Sequence, residues 1–288
     1  MTRQPYRGVV LATPVTEAFG ETANLAPPGL PAVFRVQLQE QKGIHVMTSL
    51  RTVSVVTGGS VGIGSDICGR LLREGQHVIN LSNQQPSVIH PRLETINIDL
   101  TDRSATTALS RRLAENNLVT RFVHCAGTVR PALIENVKLE DFDYLTQLHL
   151  GAAITLTQNF LPAMRGGRFG RIVLISTRAV LGLPTRTSYS ATKAAMVALV
   201  RTWSLELAAS GITVNAIAPG PVDTELFRQF VPDPNRRAEV ANGVPVKRLG
   251  TPADIGRVVQ FLLDAESGFI TGQTWFVCGG ASVGSLNM

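Results

Sequence analysis

The chain has 288 residues, 44% hydrophobic and 17% charged, with a formal net charge of +6; this fills a core and excludes a globally disordered protein. No stretch reaches the roughly eighteen apolar residues of a membrane span, and the basic residues are scattered without an aromatic-interleaved run, so neither membrane nor nucleic acid is the expected partner. Three cysteines, Cys68, Cys125 and Cys278, lie far apart with no CxxC, which fits neither a disulfide framework nor a metal site and suits a reducing cytoplasm.

Residues 1–46 differ from the rest. Pro5, Pro14, Pro27, Pro28 and Pro31 interrupt every helical pattern, and Val9–Ala12 is too short for a signal-peptide core. A flexible arm, or translation from a start upstream of the functional one, is expected, with Met47 as the candidate start. From Thr52 onward the pattern is regular. Val53–Val56 is a β-branched run suited to a central parallel strand, followed by the glycine-rich turn Thr57–Gly64 and a helix through Ile67 and Leu71. His77–Leu81 and Leu93–Ile98 read as strands, Ser104–Asn116 as a helix, and Thr120–His124 as a strand. A long helical region spans Asp141–Met164, then Arg171–Ile175 is a strand and Thr187–Ala209 a helix closed by Ser210-Gly211. Ile212–Ala216, Pro252–Leu263 and Thr274–Val277 complete the alternation as strand, helix and strand. Strands alternating with helices over this length predict an α/β, doubly wound, Rossmann-type parallel sheet of about seven strands, one domain over 47–288.

Two motifs carry chemistry. Glycines at 58, 62 and 64 let the backbone approach a pyrophosphate, and the helix that follows offers free N–H groups and the positive end of its dipole. The spacing is TGxxxGxG rather than the GxGxxG of the dinucleotide fingerprint. Tyr189 and Lys193, four apart, share one helix face. A free tyrosine has a pKa of roughly 10, and a nearby ammonium favours its phenolate, bringing it toward use as an acid/base. With TGGSVGIG (57–64), Asp99-Leu100, HCAG (124–127), YSATK (189–193), PGPVDT (219–224) and FVCGG (276–280) in this order, the chain resembles the short-chain dehydrogenase/reductases, with its nearest flavour in the 3-oxoacyl-[acyl-carrier-protein] reductase-like branch.

The resemblance implies a role for each matching position. Tyr189 would be the acid/base, and Lys193 would bind the nicotinamide ribose and depress the tyrosine pKa. Gly58, Ser60, Val61, Gly62, Ile63 and Gly64 would hold the pyrophosphate. Asp99 and Leu100 would contact adenine, Cys125, Ala126 and Gly127 would line the cofactor cleft, and Pro219, Gly220, Val222 and Thr224 would hold the carboxamide side. The resemblance also implies a homotetramer, with the helices around 141–164 and 187–209 at its interfaces.

Some positions depart from the family pattern. The hydroxyl expected twelve or thirteen residues before the tyrosine is Thr177 or Ser176, with Thr177 favoured by its place after the strand. The family's helix asparagine aligns with His149, and NNAG becomes His124-Cys125-Ala126-Gly127. Cys125 is read as a small buried thiol rather than an oxidisable one. At the end of the second strand Ser82 and Asn83 supply neither the acid that repels a 2′-phosphate nor an arginine that binds it. Loss of the repulsion tips the expectation to NADP(H) over NAD(H). Residues 223–249 are expected to form the substrate lid. There Phe227, Phe230 and Val231 with five basic residues read either as a slot for an acyl chain on a carrier protein or CoA, or as an ordinary mobile loop. Arg165, Arg168 and Arg171 form a candidate carrier-docking patch. The expected activity is hydride transfer between the nicotinamide and the carbonyl or hydroxyl of a small-molecule substrate, with no metal; a non-catalytic cofactor sensor or scaffold is the alternative.

Overall fold

The computed structural model describes residues 36–41 and 44–283, with side chains from Leu50 onward. Residues 1–35 of the expected N-terminal arm lie outside the described residues. The next segments, β1 (Val36–Gln41) and β2 (Ile44–Ser49), pair antiparallel, with Met47 opposite Leu38. Met47 therefore lies within a strand rather than ahead of the first one.

The main sheet has seven parallel strands in the order β5-β4-β3-β6-β7-β8-β9. These are β3 (Arg51–Thr57), β4 (His77–Ser82), β5 (Leu93–Asn97), β6 (Asn117–His124), β7 (Gly170–Ile175), β8 (Ile212–Pro219) and β9 (Thr274–Val277). Each predicted strand is present with ends within a few residues of those expected, and so is each predicted helix except the long one at 141–164. The chain runs outward from β3 to β5, then crosses back to β6 on the other side of β3. That reversal opens a crevice at the carboxyl ends of β3 and β6, where ligands of such sheets bind.

Helices cover both faces. On one, α1 (Gly62–Arg73) and α8 (Pro252–Leu263) bury Ile67, Leu71, Ile255, Val259 and Leu262 against Val56, Val123 and Ile217. On the other, α2 (Arg103–Asn116), α4 (Ala152–Gly167) and α5 (Thr187–Leu207) bury Leu109, Leu156, Phe160, Met196 and Val200 against Val55, Phe122, Ile172 and Val214. Strands buried on both faces need continuous apolar runs, which is why β7 and β8 are buried at every position. Each fully buried large side chain contributes about 1.5–3 kcal/mol, and Phe122 and Phe160 add an edge contact at 5.5 Å.

The predicted long helix at 141–164 is broken in its middle. It comprises α3 (Leu139–Thr146), a π-helical turn at Gln147–Gly151, and α4. One extra residue per turn leaves the helix locally wider and turns His149 inward, a distortion that recurs at functional sites.

The expected lid is ordered as α6 (Glu225–Phe230) and α7 (Pro234–Gly243). Its base is clasped by backbone: Asp223 N donates to Gly250 O at 2.9 Å, and Gly250 N to Pro221 O at 2.9 Å. A two-pronged ion pair of Arg248 with Asp254, which also caps α8, fixes the returning strand. The arginine triplet does not form one patch. Arg171 is buried, with its guanidinium 4.5 Å from the Phe169 ring and donating to the Asp264 and Ala265 carbonyls, while Arg165 and Arg168 are exposed.

Candidate active site

The glycine turn packs against the start of the β6 exit. Gly58 has φ +66°, and a Cβ there would come 2.8 Å from the Ala126 Cα. A Cβ on Gly64 would collide with the Gly58 carbonyl oxygen. Both positions therefore need glycine for close backbone approach. A buried polar network holds the turn. Gly59 N donates to Asn80 Oδ1 at 2.8 Å, Asn80 Nδ2 donates to Ser60 Oγ at 3.0 Å, and Ser60 Oγ donates to Gln84 O at 2.8 Å. Asn80 was not singled out in the sequence; its signal is an amide in the middle of an otherwise apolar strand.

Thr57 closes the crevice. Its Oγ1 accepts from Cys125 N at 3.0 Å and Ala126 N at 3.1 Å. Its single proton is then free to reach His124 Nδ1 at 2.9 Å, so that nitrogen accepts and Nε2–H donates to Leu148 O at 3.1 Å. Burial, with the Lys193 charge adding, pushes the His124 pKa down to about 3. It is a neutral structural histidine with both nitrogens satisfied.

These residues open onto a cavity of about 440 Å³ lined by Gly58, Val61, Gly62, Ile63 and Gly64, by Ser82, Asn83, Asp99 and Leu100, and by Cys125, Ala126, Gly127 and Thr224. Thirteen positions expected from the sequence thus share one cavity. Arg130, Tyr144 and Leu148 line it as well and were not expected. A dinucleotide's adenosine and pyrophosphate fit this lining. Helix α1 has Val61 at its N-cap and no side-chain cap hydrogen bond. The first-turn N–H groups of α1 are therefore left for an anion. Ser82 and Asn83 carry no charge, and Ser82 Oγ accepts from Gln84 N at 3.2 Å. Burial raises the Cys125 pKa to about 11, which keeps a thiol rather than a reactive thiolate beside the cleft.

Tyr189, Thr177, Ser176, Lys193 and His149 gather at the ends of β6 and β7, beside Gly127. Ser176 and Thr177 separate clearly. Ser176 Oγ is buried and donates to the Lys193 backbone carbonyl at 2.9 Å. Thr177 caps a short helical turn through Ala179 N and is the hydroxyl on the Tyr189 side, where it lowers the phenol pKa. Burial raises the Tyr189 pKa, while the Thr177 hydrogen bond and then the Arg186 charge lower it and the Cys125 thiol raises it slightly.

The cation that lowers the Tyr189 pKa in this arrangement is Arg186. Lys193 Nζ turns back to donate to Ile175 O at 2.7 Å, and burial lowers its pKa to about 8. His149 is fully buried and lies edge-on to Tyr189, with ring centroids 5.8 Å apart. Thr192 Oγ1 donates to the helical Ser188 carbonyl at 2.9 Å, so His149 Nδ1–H donates to Thr192 at 2.9 Å and Nε2 presents a lone pair. That Nε2 has no hydrogen-bond partner. It would lie 3.0 Å from a Cβ on Gly127, and Lys193 Nζ 3.2 Å from the same point. Pro219 ends β8, and a Cβ on Gly220 would meet Cys278, so this turn is fixed tightly against β9; Val222 is buried at the lid base.

Comparison with known proteins follows this geometry. The family model for enoyl-(acyl carrier protein) reductase matches residues 58–282. A 3-oxoacyl-[acyl-carrier-protein] reductase of Thermotoga maritima is 30% identical over 240 residues, covering 79% of this chain and 96% of the relative. Its counterpart from Rickettsia bellii is 32% identical over 237 residues, covering 79% and 95%. Among solved structures, a putative NAD(P)-dependent gluconate 5-dehydrogenase from Beutenbergia cavernae, with bound NADP, superposes with a TM-score of 0.74 at 31% identity, covering 81% of this chain and 97% of that one. No helix among the described residues is long and apolar enough to cross a membrane.

Proposed function

The chain belongs to the short-chain dehydrogenase/reductase family and is an NAD(P)-dependent oxidoreductase; from that premise we propose that it reduces the keto group of a 3-oxoacyl compound with NADP(H). The observation that carries the reading is the grouping of Tyr189 and Thr177 with Lys193, whose ammonium lies beside Gly127, a residue that lines the dinucleotide cavity. The nicotinamide supplies the hydride when bound. Tyr189 donates the proton to the carbonyl oxygen in reduction and removes it in oxidation. Thr177 orients that oxygen with a hydrogen bond, while Ser176 holds the Lys193 backbone. Lys193 binds the nicotinamide ribose. His149 Nε2 accepts a proton-bearing neighbour on the Lys193 side and positions it.

Residues 58–64 hold the pyrophosphate, Ser82 and Asn83 the adenosine ribose, Asp99 and Leu100 the adenine, and Pro219, Gly220, Val222 and Thr224 the carboxamide. NADP(H) is favoured because no carboxylate at Ser82 or Asn83 opposes a 2′-phosphate. A 3-oxoacyl group on an acyl carrier protein is the form named for the bacterial relatives; the same reading extends to CoA, and the apolar Phe227 and Phe230 of the lid suit an acyl chain. A cytoplasmic homotetramer accompanies this reading; exposed Leu139 and Phe142 on α3 and Leu205 on α5 support interfaces along these helices.

The test is NADPH and NADH oxidation against a panel of an acetoacetyl thioester, a β-ketoester, a quinone, and aliphatic and steroid ketones. Keto reduction with NADPH that is lost in Tyr189→Phe, with NADPH binding retained, is the expected result. A Tyr189→Phe protein of full activity refutes the mechanism.

A further inference from the structure

Arg186 stands three residues ahead of Tyr189, at the N-cap of the 21-residue helix α5. Its guanidinium donates to the carbonyl and hydroxyl of the adjacent Thr185 and lies 5.8 Å from the ring centre of Phe230, the last residue of lid helix α6. No carboxylate pairs with it among the described residues. Its backbone is pinned by a bridge to Ala132 and by Ala132 N donating to Thr185 O at 3.0 Å. Thr185, a β-branched residue, is held at φ +64°, which is uncommon for its type.

We propose that Arg186 is a specificity residue that holds the carboxylate of a free 3-oxo acid, so that the substrate taken by this site carries its negative charge next to the reacting carbonyl. The proposal rests on Tyr189 being the acid/base. Groups three residues apart at a helix start lie roughly 5–6 Å apart at their Cβ atoms, and the Arg186 charge is felt at the phenol. A carbonyl oxygen bonded to Tyr189 therefore places a carboxylate on the neighbouring carbons within reach of the guanidinium fork. Phe230 shields one face of the cation, and the dipole of α5 adds to the preference for an anion. A thioester puts only a neutral sulfur and carbonyl there, with its phosphates at the far end of a long neutral arm. The site would thus use the relatives' reaction on a free acid.

The experiment compares 3-oxobutanoate, its methyl ester and a 3-oxobutanoyl thioester as NADPH-dependent substrates of wild type, Arg186→Gln and Arg186→Lys. NADPH binding serves as the folding check. The expected wild-type kcat/KM is at least tenfold higher for the acid than for the ester. In Arg186→Gln that ratio falls at least tenfold, mainly through KM for the acid, as expected for loss of a charge-assisted contact. Arg186→Lys retains part of the ratio. Comparing ratios removes any effect of the substitution on Tyr189, which is common to all three substrates. A wild type that prefers the ester or thioester, or a ratio unchanged in Arg186→Gln, overturns the proposal and leaves the reductase reading intact. Failure of all three substrates, and of every other ketone in the panel, overturns both.

Discussion

The two sides of the crevice are built on opposite terms. On the β3–β4 side, around the glycine turn, these buried polar groups all have partners: Asn80 with Gly59 and Ser60, Thr57 with Cys125, Ala126 and His124, His124 with Leu148. On the α4–α5 side, Lys193 is buried at the cost of a lowered pKa, Tyr189 has a raised one, and His149 keeps an unpartnered nitrogen. Two histidines of equal burial show the contrast most directly. Full satisfaction fixes His124 as structure, while the Nε2 of His149, on the lysine side, is left without a partner. A binding surface for a constant ligand can be rigid and saturated; a surface that moves protons has to leave capacity open.

The largest expected break of this contrast is Lys193→Met. Turnover should fall by about 10²–10⁴ while the protein becomes more stable. A lysine whose folded pKa lies near 8 instead of 10.5 binds fewer protons folded than unfolded between those values, so wild-type stability rises with pH across that window. Replacing the buried ammonium removes a penalty on the order of 3 kcal/mol, offset by leaving the Ile175 carbonyl unpaired, for a net gain of about 1–2 kcal/mol at pH 7. Thermal melts should show that gain shrinking between pH 8 and 10.5; a less stable Lys193→Met at pH 7 contradicts it.

Next in size is the pair of hydroxyls. Thr177→Ala should lower kcat by about 10–100-fold, measured at saturating NADPH, whereas Ser176→Ala should mainly cost about 1 kcal/mol of stability. Equal kinetic losses in the two would dissolve the distinction drawn between them. The histidines come third. His149→Phe should slow turnover roughly tenfold with little change in NADPH affinity, while His124→Phe should destabilise by about 2–4 kcal/mol through the orphaned Thr57 and Leu148 groups and poor fit. The smallest effect is Asn80→Ala, whose loss of turn contacts should weaken NADPH binding by about three- to tenfold, read by fluorescence titration.

Much of this was legible in the chain itself. Apolar runs located the strands of the large sheet, most plainly β7 and β8, because strands buried on both faces tolerate little else. The cofactor cradle was legible because glycine is the only residue that meets its backbone constraints, as Gly58 and Gly64 illustrate. The choice between Ser176 and Thr177 was legible only in part: its place after the strand favoured Thr177, both spacings are allowed, and the turn after β7 points Ser176 back to the Lys193 carbonyl. Arg186 escaped notice for a related reason. An arginine before a helix is common, and its meaning comes from the absence of an acidic partner among the described residues and from a lid residue forty-four positions further along the chain, Phe230. The π-helical turn at Gln147–Gly151 has no compositional signature at all.

The clasp at the base of residues 223–249 has a consequence for how this chain can change. Its two ends meet through backbone hydrogen bonds among Pro221, Asp223 and Gly250, contacts that do not depend on which side chains the intervening segment carries. The segment is therefore a cassette. Its helices can be exchanged, lengthened or resurfaced while Ser176 and Thr177 after β7 and Tyr189 and Lys193 on α5 stay in place, so this part of the chain can diverge without rebuilding the rest of the crevice.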